Sequence, residues 1–262
     1  MAGRLTLMHY LAHSGKLQTP MIEVNEIFGP TFQGEGRSAG QHCMFIRLAG
    51  CNLECTWCDT PYTWAYSDAK AHKHQSGKKY DKASESHPMT VPDIIEELKK
   101  LYSKPTLVVI SGGEPLMQGQ QLVELVDELD RNHYDVHIET AGTIKPPIAL
   151  AAMTTQFNVS PKLYHSGNPT SKRIKHGVLF MFASFRHSYF KFVLRGPEDF
   201  FEVDGIVKDA GITLDRVMVM PEGTTAATNI AVAKSIADGA LERGYGLSMR
   251  NHILLWEDKR GR

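Results

Sequence analysis

The sequence has no long apolar run. Its 262 residues contain no segment that approaches the roughly 18 uninterrupted apolar residues of a membrane span. The first residues, MAGRLTLMHYLAHSGK, are broken by histidines and a glycine and lack the long apolar stretch of a secretory signal. We therefore expect a cytoplasmic protein that makes no membrane contact.

An excess of either charge is also missing. Lysine plus arginine number 29 and aspartate plus glutamate number 29, so the formal net charge is zero. A protein that binds nucleic acid mainly through phosphates needs a clear basic excess, so we expect no nucleic-acid partner. A small anionic substrate, held by one or two arginines, is still compatible with zero net charge.

Cysteine is scarce and unevenly placed. The chain has four cysteines, of which Cys51, Cys55 and Cys58 lie within eight residues. A chain of this length needs no disulfides for stability, so the spacing predicts a metal site instead. Thiolates select iron–sulfur or zinc centres. On a four-iron cubane, three cysteines leave one iron open to a small molecule.

A zinc-stabilised binding module is the alternative from another class. Zinc takes four ligands, usually from two paired cysteine motifs, and this spacing fits that pattern poorly. Cys43 lies in an apolar run and is expected in a strand, while His72 and His74 lie in a polar stretch and are expected to be solvated.

Short apolar segments alternate with helical patterns along the chain. Strands are predicted at 22–28, 43–48, 107–110, 136–139, 156–159, 189–194, 216–220 and 252–256, and helices at 91–102, 119–132, 198–210 and 226–243. Residues 66–88 are polar and lack apolar periodicity, which predicts a surface insertion. The alternation indicates an α/β fold with a parallel sheet, whose sites lie at the carboxyl ends of strands.

Several motifs together resemble one enzyme family. They are FGPTFQGEGRSAGQ at 28–41, FIRLAGCN at 45–52, WCDT at 57–60, SGGEP at 111–115, IETAGT at 138–143, NVSPK at 158–162 and the C-terminal HILLWEDKRG. The Cys-x3-Cys-x2-Cys spacing followed by GGEP is similar to the radical S-adenosylmethionine superfamily. The full set resembles its 7-carboxy-7-deazaguanine synthase family, from about residue 22 to the end of the chain.

The resemblance implies a fold, a reaction and cofactors. The fold would be a partial (β/α) TIM-like barrel, with a single core domain at 22–262 after an N-terminal extension at 1–21. The reaction would convert 6-carboxy-5,6,7,8-tetrahydropterin to 7-carboxy-7-deazaguanine with loss of ammonia, on the route to 7-deazapurines such as queuosine. The cofactors would be a 4Fe–4S cluster, S-adenosylmethionine and Mg²⁺. In the family mechanism a 5′-deoxyadenosyl radical abstracts hydrogen at C6, the ring contracts, and the hydrogen is returned.

The resemblance also assigns site residues. The cluster would be held by Cys51, Cys55 and Cys58, and magnesium by the hydroxyl of Thr60. S-adenosylmethionine would contact Trp57, Asp59, Gly113, Glu114, Ser160, Pro161 and Lys162. The substrate would contact Phe32, Gln33, Gly34, Glu35, Arg47 and Ser111. An arginine suits the substrate carboxylate because its guanidinium binds carboxylates through two parallel hydrogen bonds.

Partners follow from the same resemblance. We expect an electron donor such as flavodoxin or ferredoxin, and a homodimer. The insertion contains Lys70, Lys73, Lys78, Lys79 and Lys82; it is expected to be a solvated loop, with a docking surface for the acidic donor as the sharper hypothesis. A glycyl-radical activase would share the cysteines and GGEP, but it would not need QGEG and Arg47 for a pterin carboxylate.

Overall fold

The computed structural model describes residues 21–104 and 106–262. The predicted N-terminal extension therefore lies almost wholly outside the described residues, and the predicted domain limits stay a prediction. In the described part of the chain, no helix is long and apolar enough to cross a membrane.

The strands form one nine-stranded sheet in the order β3-β1-β2-β4-β5-β6-β7-β8-β9. Their bounds are β1 Ile22–Phe32, β2 His42–Leu48, β3 His87–Met89, β4 Leu107–Gly112, β5 Asp135–Thr140, β6 Gln156–Val159, β7 Ser188–Leu194, β8 Val217–Pro221 and β9 Gly246–Leu247. Pairing is parallel from β2 through β9, whereas β1 runs antiparallel to both β2 and β3. This arrangement confirms the predicted α/β fold of partial-barrel type, with β3 and β9 at the open edges.

Helices connect the parallel strands. Their bounds are α1 Asp68–Ala71, α2 Lys82–Glu85, α3 Val91–Leu101, α4 Gly119–Arg131, α5 Ile148–Met153, α6 Thr170–Arg173, α7 His176–Ser184, α8 Phe200–Ala210, α9 Ala226–Arg243 and α10 Asn251–Trp256. Helix α3 begins as its sequence predicts, because Thr90 and Asp93 form a reciprocal capping box and Pro92 lies in the first turn.

Alternation along the strands separates an apolar core from a polar interior. In β7, Phe190, Phe192 and Leu194 are buried in the main hydrophobic core, whereas Lys191 and Val193 line a cleft on the other face. Successive side chains of a strand point to opposite faces, so the same division recurs in β2 and β5. The concave face of the sheet consequently carries polar side chains, including Arg47 and Glu139.

The predicted last strand at 252–256 is wrong. These residues lie in α10, where Ile253 is buried, Leu254 is 36% exposed and Leu255 is 59% exposed. An isolated apolar run of this length does not distinguish a strand from a helical turn, because both have the same composition. The strand at this edge of the sheet is the two-residue β9.

The insertion at 66–88 is more structured than its composition predicts. It contains α1 and α2, and its last residues enter the edge strand β3. His74 is only 7% exposed, so the expectation that this histidine is solvated is wrong. His72 is exposed as expected.

Candidate active site

A cleft of about 510 Å³ lies at the carboxyl ends of the parallel strands. Its wall contains almost all of the residues predicted for the site: Phe32, Gln33, Gly34, Glu35, Arg47, Cys51, Cys55, Trp57, Cys58, Asp59, Thr60, Ser111, Gly113, Ser160 and Lys162. Segments far apart in sequence thus meet where a parallel α/β fold places its sites.

Two predicted cofactor residues, Glu114 and Pro161, do not line the cleft. Glu114 is 1% exposed, and its carboxylate accepts hydrogen bonds from Leu116 N, Thr140 Oγ1 and Ala141 N. Burial raises the pKa of this carboxyl, although these hydrogen bonds act against the rise. The Glu114 side chain therefore joins the ends of β4 and β5 behind the cleft wall.

The three cysteines share one environment. Cys51, Cys55 and Cys58 pack with Leu53 and Ala141 in a small apolar cluster beside the cleft. Burial raises the pKa of all three thiols, that of Cys55 to about 12. The metal-free thiols are therefore neutral, and a metal centre must displace their protons when it binds.

Each sulfur also faces a hydrogen-bond donor. Leu53 N lies 3.4 Å from the sulfur of Cys51, Asn168 Nδ2 3.3 Å from that of Cys55, and Trp64 Nε1 3.4 Å from that of Cys58. N–H groups directed at sulfur suit thiolates that carry an iron–sulfur cluster. The donor set thus fits a cluster held by three thiolates.

Among residues 21–104 and 106–262, no three His, Cys, Asp or Glu side chains are grouped to hold a single metal ion. A cubane held by three cysteines has no such requirement, since three of its irons each take one thiolate and the fourth stays open.

Glycines bring the end of β4 close to the cysteine loop, which is residues 51–59. A Cβ atom on Gly113 would lie 1.9 Å from the carbonyl oxygen of Gly50, and one on Gly112 would lie 2.2 Å from that of Leu48. The amide of Glu114 donates to Gly50 O at 2.9 Å. This backbone contact requires glycine and holds SGG against Cys51.

Lysine and tryptophan form another part of the wall. Lys162 Nζ donates to Ser160 Oγ at 3.1 Å and lies 5.8 Å from the centroid of the Trp57 ring. These three residues, predicted to bind S-adenosylmethionine, thus lie together at the ends of β6 and the cysteine loop.

The substrate side of the cleft begins with Arg47. Its Nε donates to Glu26 at 2.7 Å, and its guanidinium carbon lies 5.4 Å from the Phe28 ring and 5.9 Å from the Tyr62 ring. Neighbouring pairing places Arg47 beside Ser111 on β4. In the described residues the hydrogen bonds of this guanidinium involve Nε, which leaves its two terminal nitrogens for an anionic ligand.

Glu35 is held as a carboxylate by two cations. Its oxygens lie 2.6 Å from Lys191 Nζ and 2.9 Å from Arg250 Nε. Burial alone would raise the pKa of Glu35, but the charges of Lys191 and Arg250 outweigh it and hold the pKa well below its usual value. Arg250 also pairs with Asp59, so one arginine connects the QGEG loop at residues 33–36 to the cysteine loop.

Lys191, Arg250 and His252 were not predicted as site residues, although all three line the cleft. Lys191 gives a sequence signal, because it is the charged residue inside the otherwise apolar strand YFKFVL. Arg250 gives none that separates it from a surface arginine. The C-terminal residues 258–262 also line the cleft, where Arg260 pairs with Glu26 and Glu85.

The sequence of this chain matches a protein-family profile and several curated proteins. The radical SAM superfamily profile matches residues 45–226. Curated 7-carboxy-7-deazaguanine synthases from Pyrobaculum aerophilum and Halobacterium salinarum are each 33% identical to this chain, covering 93% and 91% of it and 99% and 92% of their own lengths. The chain belongs to the 7-carboxy-7-deazaguanine synthase family of the radical SAM superfamily.

A solved structure agrees with this assignment. QueE from Escherichia coli superposes with a TM-score of 0.65 at 25% identity, covering 92% of this chain and 100% of that chain. The family assignment confirms the predicted radical SAM enzyme with its cluster, S-adenosylmethionine, a small-molecule substrate and a reductant. The assignment therefore rules out the two alternative interpretations, a zinc-stabilised binding module and a glycyl-radical activase.

Proposed function

We propose that this cleft converts 6-carboxy-5,6,7,8-tetrahydropterin to 7-carboxy-7-deazaguanine with release of ammonia. The observation that carries the proposal is the placement of the three cysteines in one cleft with Gln33, Glu35, Arg47 and Ser111. When bound, the cluster and S-adenosylmethionine supply the radical that removes hydrogen from the substrate. The chain binds, orients and shields the reactants.

The substrate would lie between Arg47 and the Gln33–Glu35 loop. The terminal nitrogens of Arg47 would bind its carboxylate, since Glu26 already fixes the Nε edge of the guanidinium. Gln33 is 3% exposed and is held by Glu139 Oε1 at 3.0 Å, so its position is set before a ligand binds. Fixed polar groups of this kind orient a ring without a cost in side-chain entropy.

S-adenosylmethionine would bind beside the cysteines. Gly113 allows close backbone approach, and the ammonium of Lys162 offers a point charge for the methionine carboxylate. Trp57, Asp59 and Ser160 line the same cleft as the cysteines, which supports their cofactor contacts.

Magnesium belongs to the proposal through Thr60. The Thr60 hydroxyl lies 3.5 Å from the sulfur of Cys58 and lines the cleft. Magnesium prefers oxygen ligands and often keeps several waters, so one hydroxyl plus substrate oxygens suffices. Replacing Thr60 by valine should weaken the dependence of activity on magnesium while leaving iron content unchanged, whereas serine should retain both.

A flavodoxin or ferredoxin is the proposed electron donor. Lys79 and Lys82 on the insertion are exposed, and the insertion contacts the cysteine loop through Gln75 N and Thr56 O at 2.9 Å. Charge reversal of both lysines should raise the KM for the donor and leave dithionite-driven turnover intact. Lys208→Glu on α8 is the control, and the expected homodimer stays a prediction.

The test of the reaction is an anaerobic assay of reconstituted protein with dithionite, S-adenosylmethionine, magnesium and the pterin. The deazaguanine product is expected by mass spectrometry. Cys55→Ala should lose the cluster and all activity, whereas Arg47→Ala should keep the cluster and lose pterin affinity. Normal pterin affinity in Arg47→Ala would contradict the role of that arginine.

A further inference from the structure

The insertion at 66–88 reaches the cysteine loop through one buried side chain. His74 Nε2 lies 2.8 Å from the carbonyl oxygen of Cys58. A carbonyl only accepts, so Nε2 must carry the proton, and Nδ1 then accepts from the Ser76 amide at 3.2 Å. A surface insertion therefore fixes the backbone of a cluster cysteine.

Trp64 contacts the sulfur of the same cysteine. Its side chain is 1% exposed, and its indole Nε1 lies 3.4 Å from Cys58 Sγ. The His74 ring packs against the Trp64 ring edge to face, with centroids 6.3 Å apart and planes at 75°. Histidine and tryptophan thus hold both the carbonyl and the sulfur of Cys58.

We propose that Trp64 and His74 are positioning residues for the third cluster thiolate, and that the Trp64 N–H raises the reduction potential of the cluster. The inference deepens the proposed function and rests on the cluster being held by the three cysteines. Through His74, the insertion would help to set the reduction potential of the cluster, whichever donor protein supplies the electron.

The charge change on reduction explains why the Trp64 N–H raises the reduction potential of the cluster. Reduction adds an electron to the cluster and makes its thiolates more negative, so an N–H donor to sulfur stabilises the reduced form more than the oxidised form. Because the indole N–H is only a donor and is fully buried, this bond is not exchanged for one to water. Removing it makes the cluster harder to reduce.

His74 acts through Trp64 and the Cys58 carbonyl. Without the His74 donor, that carbonyl loses a partner at 2.8 Å, and the Trp64 ring loses an aromatic neighbour. The N–H···S geometry then relaxes, and the potential falls in the same direction by a smaller amount.

The first experiment measures the reduction potential of the reconstituted protein by an EPR-monitored titration. Trp64→Phe keeps a buried aromatic ring and removes the N–H. At a fixed ambient potential we expect the ratio of reduced to oxidised cluster to fall about tenfold, which is about 59 mV for one electron. Trp256→Phe makes the same chemical change in α10, where the ring stacks on Phe32, and should leave the potential unchanged.

The second experiment uses a pair of variants at position 74. His74→Gln retains a donor for the Cys58 carbonyl, whereas His74→Leu does not. We expect the leucine variant to have a lower potential and the glutamine variant to restore most of it. If Trp64→Phe assembles no cluster, this pair decides the question alone.

Failures of the two proposals are distinguishable. A wild-type protein that holds no cluster after reconstitution would overturn the proposed function itself. A wild-type cluster whose potential is unchanged in both Trp64→Phe and His74→Leu would leave the function standing and overturn the positioning role.

Discussion

At the scale of single residues, the buried Lys191 connects two partly buried acids. Its ammonium lies 2.6 Å from Glu35 and 3.1 Å from Glu139, and its side chain is 7% exposed. Both neighbours raise the pKa of Lys191 against the opposite effect of burial. The lysine therefore stays charged, and its charge helps to hold Glu35 as a carboxylate.

Replacing Lys191 by methionine should lower the free energy of unfolding by about 3–5 kcal/mol, because the partly buried Glu139 carboxylate loses the cation that faces it. Urea denaturation measures the change. Adding Glu139→Gln to this variant should recover part of the loss. Lys100→Met breaks the exposed pairs with Glu96 and Glu97 and should change stability little; equal losses at 100 and 191 would contradict the account.

His137 is a second buried titratable group, 6% exposed, with Nδ1 3.4 Å from Ser38 Oγ. Burial lowers its pKa from 6.5 to about 4. Between these values the unfolded chain binds a proton that the folded chain does not, so the free energy of unfolding falls as the pH falls through this window. The loss approaches about 3 kcal/mol below pH 4.

His137→Gln should remove this part of the pH dependence. Urea denaturation of both proteins at several pH values between 4 and 6.5 isolates it, because the other titrating groups are shared. Parallel stability curves for the two proteins would show that His137 does not titrate as described.

At the scale of elements, the contact between the end of β4 and the cysteine loop depends on Gly113. Gly113→Ala puts a methyl group 1.9 Å from a backbone carbonyl, so one segment must move. We expect lower iron content after reconstitution and a lower Tm. Gly205→Ala in α8 is the control, because its methyl group meets no atom within 4 Å and should stabilise the protein by about 0.5–1 kcal/mol. Full cluster content in Gly113→Ala would contradict the close approach of β4 to the cysteine loop.

Element types were predictable where periodicity was long or a cap was present. Helices α3 and α9 show apolar spacing and N-terminal caps, helix α4 shows apolar spacing, and the central strands are short buried runs. The segment at 252–256 failed because five apolar residues fit either state, and α7 was not predicted because its sequence HGVLFMFAS is apolar on nearly all sides.

The site was predictable as far as its motifs extend. Cysteine spacing and the glycine turns place the cofactor side, because both have a backbone or ligand requirement visible in sequence. The ion pairs of Glu35 with Lys191 and Arg250 were not predictable from the sequence, since each joins residues more than 150 positions apart. Only the folded sheet brings these charges together.

At the scale of the whole molecule, one sheet divides its side chains between two environments. Apolar positions face the helices and polar positions face a cleft that the cysteine loop, the QGEG loop and the C-terminal residues 258–262 complete. A cleft lined by segments that lie far apart in the described sequence can surround a small substrate and limit its contact with water.

The proposed reaction is tested most directly by comparing the amount of product formed with the amount of S-adenosylmethionine consumed in one anaerobic incubation with excess pterin. Because the family mechanism returns the hydrogen, the account predicts many molecules of 7-carboxy-7-deazaguanine for each S-adenosylmethionine consumed. Accumulation of 5′-deoxyadenosine without deazaguanine would contradict the proposed reaction and would indicate a radical SAM enzyme with a different substrate.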